Sequence, residues 1–126
     1  MEKGYADKLS NQVIGLALEV HRELGPGLLE SAYQQCLAYE LSKANLSFHP
    51  EKEIPVQYKG LKLDCGFRAD IIVDDCILLE LKAIDKILPV HEAQLITYLK
   101  LTQIHLGLLI NFNVRLLKNG IKRMVI

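Results

Sequence analysis

Leu61-Lys62-Leu63-Asp64-Cys65-Gly66-Phe67-Arg68-Ala69-Asp70-Ile71-Ile72-Val73, then Asp74-Asp75, then Cys76-Ile77-Leu78-Leu79-Glu80-Leu81-Lys82, is the stretch whose reading decides the fold. The first run alternates almost cleanly, with Leu61, Leu63, Cys65, Phe67, Ala69, Ile71 and Val73 on one face and Lys62, Asp64, Gly66, Arg68 and Asp70 on the other. Period two is the mark of a strand, because successive side chains point to opposite sides of a sheet. Cys76 to Lys82 is a second strand in which Ile77, Leu79 and Leu81 share a face and Glu80 and Lys82 share the other. A loop holding only Asp74 and Asp75 would set Asp70 against Leu79, dropping a carboxylate among apolar side chains. A three-residue loop, Asp74 to Cys76, sets Asp70 opposite Glu80 instead. Slipping by one residue inverts every side chain, so the apolar pattern selects the longer loop.

Upstream, Leu9, Val13, Leu16, Val20 and Leu24 recur at helical spacing and predict an amphipathic helix from about Lys8 to Leu24. Gly25-Pro26-Gly27 stops it. A second helix is expected from about Leu28 to Ala44, with Leu29, Tyr33, Cys36, Leu37 and Leu41 inward. Glu53 to Tyr58 reads as a strand, which Pro55 assigns to an edge or an irregular start, and Lys59-Gly60 as a turn. Downstream, Pro89 suits the first turn of a helix reaching about Leu101. His105 to Phe112 is nearly all apolar, as in a strand covered on both faces. Strand, helix and strand make a crossover unit, so the strands ending at Lys82 and starting at His105 are expected parallel. Asn119-Gly120, between Arg115–Lys118 and Ile121–Ile126, predicts a C-terminal hairpin. The order ααβββαβ plus that hairpin is an α/β (α+β) fold, a mixed sheet flanked by helices.

The totals set bounds. The chain has 126 residues, half of them apolar and 24% charged, which is one globular domain by length and composition. No apolar run approaches the roughly 18 to 20 residues of a membrane span, and Met1 to Asp7 has no signal-like apolar region. Three cysteines, Cys36, Cys65 and Cys76, are an odd number with no Cys-x-x-Cys pair. That argues against a disulfide framework or structural zinc and for reduced thiols in a cytoplasmic protein. Basic and acidic residues number 15 each. Zero net charge weighs against strong indiscriminate nucleic-acid binding, although a local basic groove remains compatible with it. Phosphate-loop and serine-elbow patterns do not occur, and His91-Glu92 lacks the second histidine of a zinc-protease helix.

Chemistry concentrates at Asp70, Glu80 and Lys82. Directly opposed residues have Cβ atoms about 4.5 to 5.5 Å apart, and two carboxylates that close repel unless one is protonated or a cation lies between them. Lys82 is a partial counter-charge. A hard divalent ion, Mg²⁺ or Mn²⁺, is a fuller one, and it can polarise a phosphoryl oxygen. Lys82 then orients water or steadies developing negative charge. Glu-x-Lys alone is a common tripeptide, but in a central strand carboxylates are seldom buried without a partner. Glu30, near the start of the second helix, has two readings: complement to the helix dipole, or a member of the site. Gln94 and Tyr98 share a helix face with His91 one turn earlier, and either orient substrate or form a polar seam against solvent.

Gly27-Leu28-Leu29-Glu30-Ser31-Ala32-Tyr33 resembles the signature of the GxxExxY proteins, a group placed within the PD-(D/E)xK nuclease superfamily. The likeness continues through Ile54-Pro55-Val56, Phe67-Arg68-Ala69-Asp70, Leu79-Glu80-Leu81-Lys82-Ala83, His91-Glu92-Ala93-Gln94-Leu95 and Gly107-Leu108-Leu109-Ile110-Asn111-Phe112, spanning nearly the whole chain in order. The resemblance implies a restriction-endonuclease-like core. It implies Asp70 and Glu80 as metal ligands, the Leu81 carbonyl as a third, Lys82 as catalytic lysine, Glu30 as an additional acid and Gln94 as an auxiliary polar residue. Ala69 stands where the superfamily has its proline. The expected activity is metal-dependent phosphodiester hydrolysis, DNA being the expected substrate. The alternative is a non-catalytic nucleic-acid-binding or protein-interaction accessory subunit. A core this small has little surface for gripping a duplex, which points to a homodimer or larger homo-oligomer. Leu116, Leu117, Met124, Val125 and Ile126 offer an interface, or else pack on their own sheet.

Overall fold

The structure, a computed structural model, describes residues 3–126, apart from the side chains of residues 3, 64 and 65. The readings placed on Met1, Glu2, Asp64 and Cys65 lie outside the described residues. Two helices, α1 (Lys3–Leu24) and α2 (Glu30–Lys43), precede three strands, β1 (Phe48–Tyr58), β2 (Leu61–Val73) and β3 (Ile77–Lys82). Helix α3 (Pro89–Thr102), strand β4 (Leu106–Asn111), a 3₁₀ turn (Leu117–Gly120) and strand β5 (Ile121–Val125) follow. The strands form one five-stranded sheet in sequence order. Among the described residues only β3 and β4 run parallel, as the α3 crossover requires.

One apolar cluster joins α1 and α2 to one face of the sheet through Val13, Ala17, Tyr33, Leu37, Ile71, Leu79, Leu81 and Ile110. A second joins α3 to the other face through Leu95, Leu99, Ile72, Leu78 and Leu109. The result is a helix–sheet–helix sandwich, and β3 and β4, covered on both sides, are the near-continuous apolar runs expected of such strands.

Several helix and strand boundaries move. Helix α1 begins at Lys3 rather than near Lys8, because tertiary contacts hold its first turns: the Tyr5 hydroxyl donates to the Asp74 carboxylate and Arg123 donates to Asp7 at 2.6 Å. Its buried stripe uses Ala17, whereas Leu24 is exposed. Leu29 is 78% exposed rather than inward, since the chain at Leu29 is still extended after Gly27, whose φ of 102° only glycine adopts freely. Strand β1 begins at Phe48, five residues before the predicted start at Glu53, because Phe48, His49 and Pro50 continue the β2 ladder. Its ladder with β2 shifts register between Ile54 and Val56, at Pro55, on the sheet edge the proline implied. Gly66 faces that irregularity, and a Cβ there would stand 2.0 Å from the Ile54 carbonyl oxygen.

The predicted C-terminal hairpin does not form. Asn119 and Gly120 lie in the 3₁₀ turn, Leu117 is buried under α1, and Ile121 to Val125 pairs antiparallel with β4. Gly120 comes so close to β4 that a Cβ would lie 2.2 Å from the Asn111 carbonyl oxygen. Tertiary contact therefore overrides the local Asn-Gly preference.

Candidate functional site

The turn from β2 to β3 has the three-residue form that alternation selects. Val73 pairs with Ile77, Ile72 with Leu78 and Ile71 with Leu79, leaving Asp74 to Cys76 as the loop. Asp74 and Asp75 both adopt left-handed φ, at 49° and 54°, a conformation aspartate tolerates better than most residues.

Beyond Ile71 and Leu79 the two strands part. Phe67 and Ala69 pack on the α3 side, while Ile71 and Val73, of the same parity, pack on the α1–α2 side. The single apolar face read across Leu61 to Val73 is therefore corrected: β2 turns over at Asp70. The cause lies partly in its neighbour. Glu51, opposite Asp70, has φ 50°, and that pair is missing from an otherwise continuous stretch of the β1–β2 ladder. At the parting, the Leu81 N–H donates to Asp70 Oδ2 at 2.7 Å, so a side-chain carboxylate takes the place of a ladder carbonyl. Peptide groups alternate along a strand. Because the Phe112 N–H donates to the Lys82 carbonyl on the β4 side at 2.9 Å, the Leu81 carbonyl is turned to the β2 side, toward Asp70.

Glu80 is 7% exposed, on the face that α3 covers, and its Oε1 is buried without a hydrogen-bond partner among the described residues. Burial first, and the Asp70 charge second, push the Glu80 carboxyl up to about 8. Asp70 is also raised, chiefly by burial, against the lowering effect of the Leu81 N–H. Lys82 acts to lower both without offsetting the rise. Burial and the charges of Glu80 and Asp70 raise the Tyr98 hydroxyl, with the Gln94 amide beside it acting the other way. Tyr98 in turn stacks on Phe67 of β2, ring planes 6° apart. The Glu30 charge reaches both Asp70 and Glu80 from the start of α2. Asp70, Glu80 and Lys82 thus lie together where β2 and β3 part, while Glu30 acts on the two carboxylates from the start of α2 and Gln94 lies beside Tyr98. His91 is not among them, because its Nδ1 accepts the Leu88 N–H at 2.8 Å and caps α3. His105 is exposed, and His21 sits at the core edge against the Val114 carbonyl.

A family model of the PD-(D/E)XK nuclease superfamily matches residues 7–124. The chain belongs to that superfamily. No curated protein and no solved structure matches it at a significant level. Nucleases of this superfamily generally use divalent metals, and this superfamily member has residues that fit one. Glu80 Oε1 is an orphaned, buried, hard oxygen beside a second carboxylate, and such a group is costly unless paired. Among the described residues no group of three or more His, Cys, Asp or Glu is placed to hold a metal ion. Two carboxylates and a backbone carbonyl are hard oxygen donors of the kind magnesium takes.

Two supporting residues escaped the sequence reading. Asn111, Cα partner of Lys82, is buried. Its Oδ1 accepts the N–H groups of Ile84 (3.1 Å) and Asn113 (3.2 Å), and its Nδ2 donates to the Ile84 carbonyl at 2.9 Å. It clasps the chain as it leaves Lys82. A lone amide closing an apolar strand was the available signal. Gln34 donates to the Asp70 carbonyl at 3.2 Å. It lies four residues after Glu30, on the same face of α2, which is the spacing that could have revealed it.

Proposed function

We propose that this protein is a divalent-metal-dependent nuclease that hydrolyses phosphodiester bonds, with DNA as substrate. The observation that carries the reading is the unpartnered, buried Glu80 Oε1 beside Asp70 at the parting of β2 and β3. Asp70, Glu80 and the Leu81 carbonyl would hold Mg²⁺ or Mn²⁺. When bound, the ion supplies Lewis-acid polarisation of a phosphoryl oxygen and acidifies a bound water. Lys82, cationic and half-buried, steadies negative charge on the phosphoryl group and orients the attacking water. Glu30, exposed at the start of α2, accepts a proton from that water, and Gln94 fixes a phosphate oxygen with its amide. The spacing Gly27, Glu30, Tyr33 supports assignment to the GxxExxY group of the superfamily. We further propose one domain over residues 1–126, acting in the cytoplasm as a homodimer or larger homo-oligomer. Exposed Val125 and Ile126 on the β5 edge support an interface there.

Purified protein with Mg²⁺ or Mn²⁺ is expected to nick plasmid DNA, and EDTA to abolish the nicking. A wild type that binds neither ion in calorimetry refutes the proposal. The zero net charge favours one other reading, an accessory subunit that engages nucleic acid only alongside a protein partner. In that case the isolated chain binds metal, leaves DNA intact and shows no salt-dependent DNA affinity.

A further inference from the structure

Glu30 is the first residue of α2, and the loop that leads into it, Gly25 to Leu29, has no regular secondary structure. Gly25 and Gly27 both have positive φ, 68° and 102°, so the loop follows a path that other residues resist. Tyr33 ties that path down. Its hydroxyl donates to the Gly25 carbonyl at 2.6 Å and accepts the Leu28 N–H at 3.1 Å, bridging the loop from inside. Its ring is fully buried and stacks on Phe112, centroids 4.5 Å apart and planes 7° apart. Phe112 in turn donates its N–H to the Lys82 carbonyl. A continuous path therefore runs from Lys82 through Phe112 and Tyr33 to the loop that launches Glu30. The loop is also held from α1, where the Gly25 N–H donates to the His21 carbonyl at 2.7 Å.

We infer that Tyr33 is a positioning residue for the reaction, fixing where α2, and with it Glu30, begins relative to Asp70 and Glu80 by bridging Gly25 and Leu28 while its ring is locked to Phe112. This rests on the nuclease reading for its consequence and on the loop geometry for its existence, so two measurements separate them. Tyr33→Phe keeps the ring and its stack and removes only the hydroxyl. Amide exchange in wild type and Tyr33→Phe reads the geometry with no dependence on cleavage. The expected result is exchange at Leu28 faster by about fivefold, the worth of one net hydrogen bond, with the amides of Ile77 to Leu81 and Leu106 to Ile110 unchanged. Unchanged Leu28 exchange overturns the inference, as does acceleration spread equally through β3 and β4.

The second measurement is a double-mutant cycle with Glu30→Gln, scored on DNA cleavage, or on Mn²⁺ affinity should the protein bind metal without cleaving. Tyr33→Phe is expected to lower the signal about fivefold in the wild-type background and to have no further effect once Glu30 is neutral. Losses that multiply in the double variant mean that Tyr33 acts on general stability alone, and they overturn the inference. Absence of cleavage with a coupled Mn²⁺ cycle removes the nuclease reading and leaves the positioning role standing. Absence of both cleavage and Mn²⁺ binding overturns the inference together with the nuclease reading.

Discussion

Raising the pH in the absence of divalent cations should cost this protein stability, and Glu80 should be the main cause. Its carboxyl is pushed from an ordinary 4.5 to about 8 in the folded chain, so the native state holds a proton that the unfolded state has released. Stability from this group is complete below about pH 4.5, falls through the interval up to pH 8 and is level above it. Each pH unit within the interval costs at most about 1.4 kcal/mol, which integrates to roughly 5 kcal/mol over 3.5 units. Water entry and strand relaxation on ionisation reduce the observable loss to about 2 to 4 kcal/mol. Against a total of about 5 to 15 kcal/mol for a domain, that is large. Asp70, also raised, adds in the same direction. The assay is urea unfolding in EDTA at pH 5 to 9, run in parallel on Glu80→Gln, which stays neutral throughout. Subtracting the two curves removes the titrating groups that do not interact with Glu80. With Mg²⁺ present the wild-type slope should flatten or reverse, because the cation takes the ionised form. A wild-type curve in EDTA parallel to that of Glu80→Gln refutes the reasoning.

Lys82→Ala should reduce DNA cleavage by about 100-fold or more while Mn²⁺ affinity, measured by calorimetry, changes far less. Comparable loss of both would make the lysine structural. Asn111→Ala strips partners from the Ile84 N–H and carbonyl and from the Asn113 N–H. It should cost about 2 to 3 kcal/mol in urea unfolding, and a cost under about 0.5 kcal/mol would mean that water replaces the clasp. Gly66→Ala drives a methyl group to 2.0 Å from the Ile54 carbonyl. A loss of about 1 to 3 kcal/mol is expected, and an unaffected melting temperature would show that β1 yields freely at Pro55.

Much of the architecture is readable from the residues because strong periodicities act over long runs. The three-residue loop from Asp74 to Cys76 follows from keeping Asp70 off the apolar face of β3, and the parallel pairing of β3 with β4 follows from the crossover. The turnover of β2 at Asp70 was not readable, because alternation assumes an unbroken pleat. Part of its signature lies at Glu51, on another strand, in a dihedral angle that no composition rule marks. The C-terminal segment misled for a related reason. Asn-Gly is a local preference, while the close passage of Gly120 against the Asn111 carbonyl is set by residues far from it. Asp70, Glu80 and Lys82 could be brought together from spacing. Spacing left Glu30 two readings, and its effect on Asp70 and Glu80 emerges only once α2 is seen to begin at Glu30 beside them.

The hydrogen bond from Leu81 to Asp70 has a practical bearing on how a silent version of the site should be made. Residue 70 completes the backbone of its neighbour as well as bearing a charge. Alanine there strands the Leu81 amide in a buried position, so a loss of signal would mix chemistry with collapse. Asparagine retains an oxygen that the amide can use. Asp70→Asn is therefore the substitution that removes the charge while keeping the backbone contact, and Asp70→Ala is the one that tests whether strands β2 and β3 stay apart without it.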